Sequence, residues 1–524
     1  MSDSSTIKKI SIASFIMMTS VFASRVIGLA REAVIAWAGG AKAPVDAYQV
    51  AFVIPEILNH IAASGFLSIT FIPIFARYIS QGRDKEGYQV FSTILNGFGF
   101  LLLGFILVTM VWAPEFVRLL APGMKDPVTF ELAVKMTRII IPAQFFFFCG
   151  GLFMAIQFAR EKFLIPALAP LIYNLGIIAG GVLLSPRFGM EGFAWGVLGG
   201  AFLGSFLFQF IGAAKTGMKY YLIFHPRHPD FRRYILLTLP LMLGLTMTFS
   251  TEILLKFFGS FLDEGRIAAM NYAIRILFIL VGFFGQAVGM ASYPFMAKIA
   301  ALGDMDRLNR IINQTLKFIF LAIPFSVLFM VLRHEIVQVL FQRGRFDAEA
   351  ARLTAGILPF FLAGTFAFSA QTIVARGYFA LQNTLFPAIF STLCVGASLP
   401  LIYLFMKTMG VQGVALGLTL SAAMNSFLLF ECWNRKSQNK GKKEVYLFFL
   451  KMVFLGLMVA GVLFPVHLGL VQFIEPGSVF RALALCLFIG VIFLILMPLA
   501  GKSLRIQEIS EFFDKIFSRL PFRS

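Results

Sequence analysis

The sequence predicts an all-α, polytopic membrane protein of about fourteen transmembrane helices: two parallel six-helix repeats and two further helices. Three observations carry this reading. Of the 524 residues, 59% are hydrophobic and only 14% are charged, a balance far from that of soluble domains. Apolar stretches of about 20 residues, the length a helix needs to cross the hydrocarbon core, follow one another along the chain. The segments 189–207 and 410–428 read as one segment written twice, with Gly189/Gly410, Gly192/Gly413, Ala194/Ala415, Gly196/Gly417, Ala201/Ala422 and Ser205/Ser426 all 221 residues apart. The same separation pairs Pro73 with Pro294, Gly82 with Gly303 and Pro166 with Pro387, so the duplication covers most of residues 1–440.

The spans fall at about 10–38, 45–76, 88–112, 129–158, 163–184, 190–213, 233–259, 267–297, 308–332, 350–376, 384–407, 411–433, 446–471 and 479–500. Lys8 and Lys9 precede the first as in a signal peptide, but Arg25 interrupts the apolar run and no small-residue cleavage site follows, so it reads as a retained span. Pro55 is predicted to kink or break the second span. In the sixth, Gly192, Gly196, Gly200 and Gly204 form a ridge at every fourth residue, a signature of close helix packing. The Phe145–Phe148 run reads as lipid-facing or packing surface.

Even-numbered connections hold most loop cations: Arg83, Lys85, Arg160, Lys162, Lys215, Lys219, Arg227, Arg232, Arg233, Lys298, Arg307, Arg310 and the run from Arg435 to Lys443. The odd connections are poorer, as at Asp263 and Glu264, with Arg333, Arg343 and Arg345 an exception. The even side, with both termini, is therefore expected in the cytoplasm. The excess of Lys and Arg, 45 against 26 acids, follows this rule, and no nucleic-acid partner is expected. An even number of spans per half makes the repeats parallel, which fits a two-lobed transporter with its substrate site near the bilayer midplane. The expected divisions are 1–220 and 221–440 for the lobes, 441–500 for the last two spans, and 501–524 for a tail. Leu504, Ile506, Ile509, Phe512, Phe513, Ile516, Phe517 and Leu520 give that tail the pattern of an amphipathic interfacial helix.

An ionisable group inside a span is costly unless it meets a wet cavity or a partner, so each one is a functional candidate. Arg25 and Arg31 lie six residues apart, about 120° around a helix, so one helix can present both guanidinia to a cavity. Gly28 between them would allow close approach or a bend. The alternative is that Arg31 and Glu32 snorkel to the outer interface while Arg25 pairs with a carbonyl. The second span adds Asp46, Glu56 and the pair Asn59 and His60; His60 is either a hydrogen-bonded packing residue or a coupling group. Glu252 and Lys256, spaced i,i+4 in span 7, suit an intrahelical ion pair, with a coupling role for Glu252 as the alternative. Arg275 in span 8 is the most isolated, with Asn271 one turn before it, and the repeat sets it opposite Ile54. A cluster of Arg25, Arg31 and Arg275 implies an anionic ligand, since guanidinium suits bidentate recognition of phosphate. A structural pair of Arg275 with Glu32 or Asp46 is the competing reading.

Cys149, Cys394, Cys432 and Cys486 lie in or at the ends of spans with no metal-ligand spacing, so they read as packing residues. The chain carries no P-loop, HExxH, nucleophile elbow or dinucleotide-binding glycine fingerprint. It is expected to be a transporter and not an enzyme, without cofactor or metal, driven by an ion gradient or the membrane potential.

Several of these segments carry a resemblance. The stretch from Ser24 through Arg25 and Arg31 to Glu32, then Asp46-Ala-Tyr-Gln-Val-Ala-Phe52, Pro55, Gly65-Phe66 and Phe71-Ile-Pro73-Ile-Phe-Ala76 are similar to the MurJ/MviN family of lipid II flippases. Asn271-Tyr-Ala-Ile-Arg275 and Phe341-Gln-Arg-Gly-Arg-Phe346 resemble that family's span 8 and its loop before span 10, and the likeness runs over essentially the whole chain. The resemblance implies a V-shaped, two-lobe transporter of the bacterial inner membrane. It would move lipid-linked peptidoglycan precursor from the cytoplasmic to the periplasmic leaflet by alternating access. It carries Arg25, Arg31, Glu32, Asp46 and Arg275 over as cavity charges, Asn174 and Asn271 as polar cavity positions, and spans 13 and 14 as a groove for the polyprenyl tail. Lipid II, membrane lipids and cell-wall synthesis proteins are the partners it implies.

The chain also departs from that pattern. Where the family usually has an Arg-Arg pair and then Glu in span 2, this chain has Asn59, His60 and Ser64, and the span 7 acid associated with sodium falls at Leu255 with Glu252 a turn away. A flippase for another polyprenyl-pyrophosphate-linked oligosaccharide is therefore the alternative. A drug or cation exporter would call for an acid-lined pocket instead of a cationic one, and a scaffold would leave the buried arginines without a purpose.

Overall fold

The computed structural model describes residues 3–59, 66–244, 246–473, 478–504, 506, 508 and 509. His60, Ser64 and the tail beyond Ile509 lie outside them. The described chain is helical throughout its spans, and among the described residues nine helices, or ten counting one bent pair, are long and apolar enough to cross a membrane. Two compact units are present: Met1–Ala268 with Arg343–Phe346, and Ala269–Gln342 with Asp347–Ser524.

Breaks in the spans follow from the backbone chemistry of proline and glycine. In the second span a helix at Ala43–Ala51 gives way at Phe52 to a second at Val53–Leu58. Pro55 has no N–H to bond the carbonyl four residues earlier, so the helix opens at Ala51 and restarts, with Glu56 N–H donating to Phe52 O at 2.8 Å. The tenth span bends by 45° between Ala348–Leu362 and Thr365–Ala380, close to Pro359 and Gly364. The predicted spans 11 and 12 run together as Leu385–Ser437, but Gly410, with φ 61° and ψ −133°, interrupts the helix between them.

That glycine ties the duplication to physical structure. Gly189, its repeat partner, has φ 54° and ψ −135° and ends the helix Leu164–Phe188. Gly82 and Gly303, another repeat pair, have φ 69° and 73°. These matches are backbone conformations that only glycine adopts readily. Nothing lies within 4 Å of a Cβ built at Gly189 or Gly410, so only the backbone demands glycine there. Gly189→Ala and Gly410→Ala are each expected to cost about 1–2 kcal/mol, read as a lowered thermal midpoint in detergent. Gly104→Ala, at a helical and equally open position, is the control and should be neutral or stabilising.

In the first unit, the glycine ridge of span 6 packs on span 5. A Cβ at Gly180 would sit 2.3 Å from Gly196 Cα and one at Gly176 2.5 Å from Gly200 Cα, so the two helices touch through their backbones. The helix Asp3–Gly39 lies along the same span 5 helix, with Ser20 Oγ donating to Ala167 O. A cluster of Phe71, Phe75, Tyr88, Phe91, Phe148 and Phe153 fills the space between the second, third and fourth spans. Beside it Arg77 donates to both carboxylate oxygens of Asp230, at 2.7 and 2.8 Å, and Tyr78 donates to the same group. Burial would raise the Asp230 carboxyl, but Tyr78 and Arg77 hold it below its ordinary range.

In the second unit, the helices Lys442–Phe473 and Val479–Ser503 pack against Ala322–Val331 and Arg333–Phe341 respectively. Ile506 and Ile509, the start of the predicted amphipathic tail, are buried, and Ile509 lies against Gly501.

Candidate functional site

The first unit gathers three of the predicted site residues, Arg31, Glu32 and Asn174, at one crossing of the first and fifth spans. Arg31 donates through Nη1 to Asn174 Oδ1 at 3.0 Å and through Nη2 to Glu32 Oε1 at 2.7 Å. Asn174 can do this in only one orientation. Its Nδ2 donates to Pro170 O at 2.9 Å and to Ser24 Oγ at 3.4 Å, which turns its oxygen toward the guanidinium. The Arg31 side chain is 21% exposed and that of Glu32 is 5% exposed, so the cation is partly accessible while its acid is buried. Arg31 Nε is buried without a partner among the described residues, which leaves one donor for a ligand.

Arg25 lies on the same helix and is exposed. Gly28, where the sequence allowed a close approach or a bend, makes no close approach: the helix Asp3–Gly39 runs unbroken through it, and nothing lies within 4 Å of a Cβ built there. One unbroken helix carries both arginines.

Tyr48 and Tyr173 flank Arg31, and beyond them Glu56 lies within electrostatic reach of both rings. Lys256, 2% exposed, donates to Glu56 Oε2 at 2.9 Å. The i,i+4 spacing to Glu252 pointed to an intrahelical partner; the partner found comes from another span, because Lys256 faces inward and Glu56 sits on the restarted helix after Pro55. Glu252 is half-buried on the same helix as Lys256.

Asp46 is 5% exposed, and its carboxylate accepts from the backbone N–H of Gly265 at 2.5 Å and of Ala268 at 2.7 Å. It caps the helix Arg266–Leu280 from outside, placing negative charge where the first N–H groups of a helix have no partners. Three glycines allow this closeness. A Cβ at Gly265 would meet Ala41 O at 2.0 Å, one at Gly40 would meet Arg345 O at 2.4 Å, and one at Gly344 would meet Trp37 at 2.4 Å. Arg345 N–H donates to Trp37 O at 2.9 Å, so the motif around Gly344 is a backbone-to-backbone contact. Asp46→Ala is expected to lower stability by about 1–2 kcal/mol, read as a drop in the thermal midpoint.

In the second unit, Asn271 is 2% exposed and its Nδ2 is buried without a partner among the described residues. Arg275, one turn on, is half-buried. Their helix passes into a π-helical segment at Val281–Ala287, a distortion that often accompanies functional sites. The sequence reading missed Arg376, whose Nη1 is buried without a partner and lies against Gly289. Its signal was a cation at the last residue of a predicted span. Among the described residues no group of three or more His, Cys, Asp or Glu is placed to hold a metal ion. In the first unit Arg31 and Asn174, and in the second Arg275 and Asn271, each set an arginine beside an amide, a pairing suited to an anion.

Comparison with known proteins gives the family. A family model described as "Lipid II flippase MurJ" matches residues 35–488. A relative from Burkholderia cenocepacia described as "Lipid II flippase MurJ" is 29% identical over 451 residues, covering 84% of this chain and 87% of that one. One from Bdellovibrio bacteriovorus, described as a probable lipid II flippase MurJ, is 27% identical over 440 residues, covering 80% and 82%. Among solved structures, "Lipid II flippase MurJ, inward closed conformation" shares the fold with a TM-score of 0.76 at 24% identity, covering 94% of this chain and 99% of that chain. An inward-facing multidrug MATE transporter of the MOP superfamily matches with a TM-score of 0.64 at 16% identity, covering 81% and 95%.

Proposed function

Because the chain belongs to the MurJ family of lipid II flippases, we propose that it carries lipid II from the cytoplasmic to the outer leaflet of the bacterial inner membrane. It is a multi-pass membrane transporter and not an enzyme. The match of the family model over residues 35–488 carries this reading, and the Arg31–Asn174–Glu32 arrangement supports it from the chemistry. A pyrophosphate is a ligand that half-exposed guanidinium donors suit.

In this reading the headgroup meets Arg25, Arg31 and Arg275, with Asn174 and Asn271 as amide partners. Glu32 keeps Arg31 oriented and charge-balanced until the anion arrives. Asp46 acts at one remove by fixing the start of the helix Arg266–Leu280. Both termini face the cytoplasm, and transport runs by alternating access, drawing on an ion gradient or the membrane potential.

The test is complementation of a bacterium depleted of its own lipid II flippase, reading lipid II at the outer leaflet with a periplasmic probe. Restored growth and accessibility are the expected result. Failure with confirmed membrane expression would reassign the cargo to another polyprenyl-pyrophosphate-linked oligosaccharide, with Asn59, His60 and Ser64 as the departures responsible.

A further inference from the structure

The second unit holds a buried acid–base pair that the transport reading leaves unused. Glu335 lies on the short helix Arg333–Phe341, and His467 lies near the end of the helix Lys442–Phe473. His467 Nε2 and Glu335 Oε1 are 2.8 Å apart, with side chains 10% and 2% exposed. Glu335 Oε2 is buried without a hydrogen-bond partner among the described residues. A carboxylate in such a place is costly unless a positive charge or a proton comes with it.

The duplication shows that the pair is a particular addition. At the repeat separation of 221 residues, Glu335 falls on Pro114, and its helix falls on Ala113–Leu120 of the first half. The equivalent helix therefore carries no buried acid in the first half, and it gains one where the two helices outside the duplication pack against it. The acid and its partner occur together, at the seam between the repeat and the added helices.

We propose that Glu335 and His467 form a proton-binding site that latches the added helix pair to the second unit, so that the grip on this pair varies with pH. With Glu335 ionised, the 2.8 Å contact requires one proton between Nε2 and Oε1. A second, taken up at Nδ1, turns the imidazole into a cation and the contact from a neutral donor on a carboxylate into a buried ion pair, which gives the unpaired Glu335 charge its compensation. Burial would raise the Glu335 carboxyl, but the bond from His467 and the nearby charge of His334 hold it below the ordinary range, so the shared proton resides on the histidine. The other groups at hand are Arg333 and the exposed His334 on the same helix, and Cys486, which faces Glu335 from the helix Val479–Ser503. The helix Ala322–Val331 brings no ionisable side chain, and Glu349 and Arg352 on the helix Ala348–Leu362 are exposed. The latch is tight when His467 is a cation and loosens as that proton leaves.

The test uses the full chain in nanodiscs with ring-labelled histidine, of which there are five, His467→Gln assigning the resonance. The expected result is a His467 signal that titrates between about pH 5 and 8 in the wild type and shifts its midpoint in Glu335→Gln. Amide exchange in residues 460–473, corrected for its intrinsic pH dependence, should quicken about fivefold over that range and be flat in both variants. A His467 signal that does not titrate, or wild-type protection that does not change, overturns the proposal. If Glu335→Gln fails to fold, these two wild-type measurements decide alone. Neither depends on which lipid is carried, so the outcome is separate from that of the complementation experiment.

Discussion

Arg31→Ala should abolish transport while leaving the protein inserted. The substitution removes two charge-assisted contacts at once, to Asn174 at 3.0 Å and to Glu32 at 2.7 Å, and with them the donors offered to an anion. Loss of one charged hydrogen bond of this kind is worth about 1.5–3 kcal/mol, roughly 10- to 100-fold in an equilibrium. Arg31→Lys keeps the charge but cannot hold Asn174 and Glu32 while also reaching a phosphate, so it should recover only part of the activity. Arg275→Ala is expected to be as severe, since Arg275 is the cation of the same helix turn as Asn271. The measurement is outer-leaflet lipid II in a flippase-depleted strain, normalised to the amount of protein in the membrane. Wild-type activity in both alanine variants would sink the anion-binding reading of these residues.

The sequence made some of this architecture readable and hid the rest for definable reasons. Glycine matches at a fixed separation were legible because Gly189 and Gly410 must hold one backbone conformation that other residues resist. The break in span 2 was legible because Pro55 removes a donor wherever it stands. The Arg31–Asn174 contact could not be read, since it joins residues 143 apart through side chains whose facing depends on how two helices cross. Asp46 read as a cavity charge, because a buried acid that caps a distant helix looks in sequence like any acid at the end of a span. Gly344 was recognisable only as part of a motif; its close approach to Trp37 emerges when the chain folds.

Lys256 offers the sharper test of how the first unit is held together, through a double substitution. With 2% of its side chain exposed and its ammonium 2.9 Å from Glu56, Lys256 has that carboxylate as its compensating partner. Removing one member of a buried pair typically costs about 3–5 kcal/mol, because the other charge stays behind without compensation. Glu56→Gln should therefore be among the most destabilising single changes in this unit. Lys256→Met should cost less, because Glu56 is 26% exposed and water can take over part of the solvation of its charge. The double variant Glu56→Gln, Lys256→Met removes both charges and leaves an amide beside a methionine of similar length to the lysine it replaces. It should recover most of the stability lost in Glu56→Gln, since replacing a buried pair by well-packed neutral groups is often near neutral. Thermal midpoints of the four proteins in one detergent measure the coupling. If the double variant is as unstable as the sum of the singles, the pair is not the unit that fixes span 7 to the restarted helix of span 2. If it recovers stability but loses transport, the charges serve transport as well as the fold, and the polar band from Arg31 to Lys256 acts as one site.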